Sequence, residues 1–236
     1  MSKLRQIELF IYRLFDGLSA ALAWLLFFAY RKRLEEPNVG WQDILSDDRL
    51  HLGLLIIPTC WLILYSIFDK YHDIYRYSRI ATFRRTFILS FIGVLVLFFT
   101  VLLDDTTLKY TNYFNTFWKL FILHFGVTVS IRMLLLTWAK SRLKSGKINY
   151  KTLIIGGDDS AVSLYKELSS QPNQLGHSFV GYLDANGHSK NHLSGHLPVL
   201  GKVNALEEIL VNKNIEEVII AIETSEHDKI KSILST

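Results

Sequence analysis

The sequence predicts a membrane α-helical module of four transmembrane helices, followed by an α/β Rossmann-like domain built on a parallel sheet. Three observations predict it. Half of the 236 residues are hydrophobic, and the mean hydropathy is positive. The apolar runs crowd into residues 1–140, while residues 145–236 have ordinary soluble composition. The stretch "YKTLIIGGDDSAVSLYKELSS", Tyr150–Ser170, reads as a short apolar strand, a glycine turn and a helix start. The expected organisation is a transmembrane module at 1–140, a basic linker at 141–149 and a Rossmann-like domain at 150–236. Three or four strands make a thin core for such a domain, so its sheet is expected to be incomplete at the C-terminus.

A bilayer core takes about 20 apolar residues in a helix. Four segments qualify: Ile7–Tyr30, Leu50–Phe68, Thr86–Leu103 and Phe117–Ala139. The second and third contain no Asp, Glu, Lys or Arg. The first is long, and no A-x-A-like site closes it, so a retained helix is expected rather than a cleaved signal. Pro58 is expected to kink the second span. Cys60, the one cysteine, lies in an apolar run and is expected to be a small buried hydrophobe; a disulfide within the chain is excluded.

Lys and Arg cluster at the ends of the apolar runs. That reads as topology information rather than nucleic-acid contact. The N-terminal end, the second loop and the tail after span four hold fourteen of them, against six in the first and third loops. The count places both termini and the second loop in the cytoplasm, although "RKR" at 31–33 argues locally against it. Trp118 and Trp138 suit the interfacial belts.

Two groups of residues are candidates for contact with a lipid phosphate. Arg13 and Asp16 stand three apart on one face of the first helix, where charges are expensive and pairing is the natural expectation. The second loop, "DKYHDIYRYSRIATFRR", alternates Tyr71, Tyr75, Tyr77 and Phe83 with Arg76, Arg79, Arg84 and Arg85. On a helix in the headgroup layer it would attract anionic lipid, including a polyprenyl phosphate. Ordinary topology bias and a structural pair explain the same residues, and both readings stay open.

In the second module, "KTLIIG" is a buried strand closed by glycine. "DSAVSLYKELSS" has helical spacing, with Ala161, Leu164, Tyr165 and Leu168 on one face. "HSFVGYLDA" and "LPVLGKV" read as strands. "NALEEILVNKN" is a helix with Asn204 as cap and Glu207 at capping-box distance. "EEVIIAI" is a buried strand, and a further helix is expected from Ser225. Strands alternating with helices predict a parallel, doubly wound sheet.

A dinucleotide fingerprint, G-x-G-x-x-G, needs its glycines for a tight turn, close pyrophosphate approach and helix packing. Here Gly156 and Gly157 are followed by Asp158 and Asp159, with Ala161 at the third glycine position. Two carboxylates stand where a pyrophosphate would sit, and a helix N-terminus accepts such a side chain as its own cap. Asp184 ends the second strand, where a ribose-binding acid would sit. Gly156, Gly157 and Asp184 are thus the candidate cofactor-binding residues of a degenerate motif, against a purely structural reading of the same turn. His188, His192 and His196 recur every four residues, but their Gly, Asn and Ser neighbours make a loop, so no metal site is expected. There is no nucleophilic triad and no P-loop.

Together these pieces resemble the N-terminal half of the bacterial polyprenyl-phosphate sugar-1-phosphate transferases, the large phosphoglycosyltransferases of exopolysaccharide and O-antigen synthesis. Gly181–Asp184, Leu197–Gly201 and Glu217–Ile222 resemble that family's "G-F-x-D", "P-V-L-G" and "E-V-I-I-A" segments. The resemblance runs over essentially the whole chain and implies a bacterial inner membrane. It implies a CoA-binding-like domain after four spans, and catalysis in a later domain bearing an Asp-Glu pair and using Mg²⁺. No catalytic residue and no cofactor are implied for this chain, which alone is expected to be inactive. Membrane lipid is the implied partner, undecaprenyl phosphate among the candidates, and a homodimer is a family-level expectation. Membrane-bound nucleotide-sugar dehydratases and epimerases have a similar front end and are the alternative, as is a free-standing membrane scaffold.

Overall fold

The computed structural model describes residues 3–68, 71, 73–102, 110–171, 176–185 and 192–222. The chain forms two compact units, Met1–Ala139 and Lys140–Thr236.

The first unit is helical. Its long helices are α1 (Lys3–Glu35), α3 (Asp48–Phe68), α4 (Arg79–Leu97) and α5 (Tyr110–Lys144), with a short α2 (Trp41–Leu45) after the first. A π turn at Phe98–Leu102 extends α4. All four long helices are long and apolar enough to cross a membrane. Pro58 sits inside α3 without ending it. Large apolar side chains such as Leu52, Leu55, Ile63 and Leu134 point outward, which suits hydrocarbon as the solvent. Cys60 is exposed on this surface. Its expected burial is corrected: helix α3 turns that position outward, away from its buried stripe at Gly53, Ile57, Trp61 and Tyr65.

Lipid supplies no hydrophobic drive between helices, so close packing and polar contacts must hold them. Two tryptophans fill glycine-lined hollows. A Cβ on Gly53 of α3 would lie 2.0 Å from Trp24 of α1, and a Cβ on Gly93 of α4 would lie 2.0 Å from Trp61 of α3. Phe83, Phe87 and Phe91 recur every four residues on α4 and meet Phe117, Phe121 and Phe125 of α5. Their rings contact edge-on at 5.4 to 5.8 Å, the arrangement that aromatic quadrupoles favour.

The polar centre of the bundle is an ion pair. Arg132 of α5 donates from Nε and Nη2 to the two carboxylate oxygens of Asp16 on α1, both at 2.8 Å. Its Nη1 donates to Thr86 Oγ1 of α4 at 2.9 Å, and its guanidinium lies 4.2 Å from the Tyr65 ring centroid of α3. Tyr71 donates to Asp16 Oδ2 at 2.8 Å. Burial, then the Asp16 carboxylate, push the Tyr71 phenol above its ordinary value. Tyr65 in turn meets His124 Nε2 at 3.2 Å, and His124 stacks on Trp61 at 3.8 Å. The expected Arg13–Asp16 pair is therefore corrected. Arg13 is exposed and covers the Tyr71 ring at 4.8 Å, while Arg132 reaches Asp16 from the bundle interior.

The segment before α4 is also corrected. It is a 3₁₀ turn at Ile74–Arg76 followed by α4, not one interfacial helix. Tyr71, Ile74 and Tyr75 are buried. Tyr75 donates its hydroxyl to Glu8, and Asp73 pairs with Arg5 at 3.6 Å. The aromatics hold the loop to α1, and the arginines stay outside.

The second unit is a four-stranded parallel sheet of β1 (Tyr150–Ile155), β2 (His177–Asp184), β3 (Val199–Lys202) and β4 (Glu217–Ile220), in the order β3-β2-β1-β4. Helix α6 (Asp159–Ser170) and α7 (Leu206–Asn212) complete it. On one face Ile154 and Tyr182 pack with Ala161 of α6 and with Leu193, Leu197 and Ala221. On the other, Leu153, Ile155 and Leu183 pack with Leu206 of α7. This alternation of sheet residues between two helix layers is the doubly wound Rossmann-like arrangement. Asn204 falls in a 3₁₀ turn, Val203–Ala205, and Ala205 caps α7 without a side-chain bond. The expected Asn204 cap is thus corrected, since the helix starts one residue later. The helix expected from Ser225 lies outside the described residues.

Removing one member of a buried pair leaves an uncompensated charge, worth about 3–5 kcal/mol. Asp16→Leu or Arg132→Leu alone is expected to destabilise the detergent-solubilised chain by that amount. The double variant should recover much of the loss. Thermal unfolding of all four proteins checks this; additive losses would show that the pair is uncoupled.

Candidate functional site

In a doubly wound sheet, ligands bind beyond the carboxyl ends of the strands where the order reverses. Here that place lies between β1 and β4, and the β1–α6 turn forms its floor. The turn is built tightly. Gly156 takes φ +139°, and a Cβ there would lie 2.1 Å from the Ala221 carbonyl oxygen. Its N–H donates to Leu183 O at 2.9 Å, and Ala221 N–H donates to Ile155 O at 2.8 Å. Glycine is required because the backbone beyond β4 presses against the turn.

Other groups of the turn make contacts within the unit. Gly157 is buried, and its carbonyl accepts the Leu193 N–H at 3.3 Å. Leu193 is fully buried and sits in a 3₁₀ turn, His192–Gly195, that packs on α6. Asp158 caps α6, its Oδ1 accepting the Ala161 N–H at 3.1 Å. Asp159 Oδ1 lies 2.6 Å from His192 Nδ1. Asp184, at the end of β2, is half-buried and in register with Lys202 of β3. Burial, then the Asp184 carboxylate, raise the Tyr182 phenol above its ordinary value.

Of the three candidate cofactor residues, the structure joins Gly156 and Gly157 in one turn and places Asp184 at the end of the adjacent strand. Of the three histidines, His192 opens the 3₁₀ turn and bonds Asp159, His196 lies 5.7 Å from the Tyr165 ring, and His188 lies outside the described residues. Among the described residues no cluster could hold a metal ion.

The five candidate arginines are all exposed. Arg79 donates to Thr137 Oγ1 of α5 at 3.3 Å. Arg84 and Arg85 lie five and six residues beyond it, which at roughly 100° per residue points the three in different directions. Arg76 ends the 3₁₀ turn, and Arg13 covers Tyr71. Arg79, Arg84 and Arg85 thus do not share one face of α4. Sequence reasoning missed the role of Arg132. Its signal was available: an arginine inside an apolar span requires an acidic partner.

Four apolar helices followed by a doubly wound parallel unit define a membrane protein with a Rossmann-like domain. A family model described as a CoA-binding domain matches residues 70–236, and the chain belongs to this family. The domain is found in bacterial sugar transferases. The match opens before α4, so it takes in α4 and α5 together with the whole α/β unit. Nothing among curated proteins matches the chain.

CoA carries a pyrophosphate, and the turn does not fit one. A pyrophosphate needs free N–H groups at the α6 N-terminus; the Asp158 carboxylate already accepts one of them. Asp159 adds a second negative charge at the same helix start.

Gly156→Ala is expected to cost about 3 kcal/mol or more through backbone strain and collision. Asp158→Ala is expected to cost about 1 kcal/mol as a lost cap, with Asp158→Asn costing less. Protease resistance of the second unit in the full chain reads both. CoA added at millimolar concentration is expected to leave the unfolding midpoint unchanged.

Proposed function

We propose that this chain is the membrane-anchoring and regulatory N-terminal part of a transferase that moves sugar-1-phosphate from a nucleotide sugar to undecaprenyl phosphate, initiating exopolysaccharide or O-antigen synthesis. The observation that carries the reading is the family match at residues 70–236 standing behind and within a four-helix membrane unit. Domains of this family occur in bacterial sugar transferases. The β1–α6 turn supports a positioning or regulatory role for the Rossmann-like domain, because its helix start is capped by its own carboxylate. On this reading the phosphoryl chemistry and its Mg²⁺ belong to a domain outside residues 1–236. Both termini and the loop before α4 face the cytoplasm, where nucleotide sugars are found. The arginine-bearing end of the bundle then stands beside the lipid-phosphate acceptor, with Arg13, Arg76, Arg79, Arg84 and Arg85 in the headgroup layer.

Membranes from cells expressing residues 1–236 alone are expected to transfer no labelled sugar phosphate to undecaprenyl phosphate. Robust turnover would overturn the assignment of catalysis to another domain. Reading the coding DNA past codon 236 separates the alternatives. A membrane-inserting helix with an Asp-Glu pair supports the transferase. A second, intact G-x-x-G-x-x-G strand-turn-helix turns the reading toward a dehydratase, and an immediate stop codon toward a free-standing scaffold.

A further inference from the structure

The basic run Arg31–Arg33 lies at the end of α1 opposite the five arginines already described. Arg13 and Arg33 are twenty residues apart, about 30 Å along a helix, which is the thickness of a bilayer's hydrocarbon core. The two arginines therefore mark its two boundaries. At the Arg33 boundary the charges divide into two groups. Arg31 pairs with Glu35 at 3.3 Å. Lys32 pairs with Asp47 and holds that carboxyl below its ordinary value. Arg33 and Lys119 have no carboxylate partner among the described residues. Each lies on an aromatic ring instead: Arg33 over Trp41 at 4.5 Å, and Lys119 over Tyr30 at 4.0 Å, also donating to the Tyr30 hydroxyl.

These rings line one cavity. Leu26, Ala29, Tyr30, Arg33, Leu34 and Trp41 line an open cavity of about 380 Å³, within the range of small-molecule sites. Its apolar side runs along the last turns of α1, at the level of the hydrocarbon. Its polar end carries Arg33 on the Trp41 ring, and Tyr30, which also lines it, holds Lys119. Trp41 opens α2 and is half-exposed, as interfacial tryptophans are.

We infer that this cavity is a binding site for one anionic phospholipid, with an acyl chain along Leu26, Ala29 and Leu34 and the phosphate between Arg33 and Lys119. A soluble anion leaves the apolar wall unused. A zwitterionic lipid brings its own cation to the same two charges. The site stands apart from the transferase reading and does not depend on it.

The test uses the full chain, purified in detergent and delipidated. Native mass spectrometry counts bound dioleoyl phosphatidylglycerol against dioleoyl phosphatidylcholine. Two interfacial cations give an expected preference of roughly tenfold to thirtyfold for the anionic lipid. The double variant R33Q/K119Q should lose one bound phosphatidylglycerol, while K166Q, at an exposed position on α6 of the second unit, keeps it. Equal binding of the two lipids, or undiminished binding by R33Q/K119Q, overturns the proposal. So does inorganic phosphate alone raising the unfolding midpoint as much as the lipid does. If R33Q/K119Q does not fold, lipid with brominated chains tests the same site. Brominated phosphatidylglycerol is expected to quench wild-type fluorescence more than that of W41F, by a margin that brominated phosphatidylcholine does not reach. Equal margins for the two lipids reject the site.

Discussion

The salt bridge between Asp16 and Arg132 sets the arrangement of the membrane unit. It draws on every long helix there: the acid on α1, the base on α5, Thr86 on α4 and Tyr65 on α3. Tyr71 adds the loop before α4. A charge buried among lipid-facing helices is tolerated only with its hydrogen bonds satisfied, and here the two carboxylate oxygens take three donors. The register of each helix follows from that. A one-residue rotation of α5 would carry Arg132 about 100° from its partner. The glycine hollows under Trp24 and Trp61 and the phenylalanine seam between α4 and α5 complete the packing around this fixed point.

The second unit is governed by backbone proximity. Gly156 brings β1 against the chain leaving β4, where an open α/β sheet would otherwise keep its ligand crevice. Membership of a CoA-binding family and the chemistry of this turn thus diverge. The family shares the frame of strands and helices, while the phosphate-binding step depends on a few backbone donors at one helix start. Asp158 occupies that start here.

The sequence disclosed the architecture well because its signals are local. Apolar runs gave the four spans, and the strand–glycine–helix pattern gave the doubly wound sheet. Asp158 was legible as a cap because capping is a three-residue affair. What was hidden depends on contacts distant in sequence. Asp16 and Arg132 are 116 residues apart, and the nearer Arg13 drew the pairing expectation to itself. Tyr71 and Tyr75 looked like interfacial aromatics, since nothing local tells that Asp16 and Glu8 wait for them on α1. Cys60 looked buried because every residue of an apolar run does; only packing decides which side faces lipid. The Leu193 turn over Gly157 follows a stretch with no periodicity of its own.

That sequence separation has a consequence for biosynthesis. A ribosome adding about 5–20 residues per second needs on the order of ten seconds to travel from Asp16 to Arg132. During that interval the first span exists without its counter-charge. Its commitment to the bilayer must come from its other side chains. The run Leu18–Phe28, "LSAALAWLLFF", has to outweigh an aspartate whose cost against insertion reaches about 3 kcal/mol at a span's centre and is smaller this near its boundary. Assembly of this bundle is thus ordered in time as well as in space: the nascent chain carries an unfinished electrostatic contact until its last helix emerges to close it.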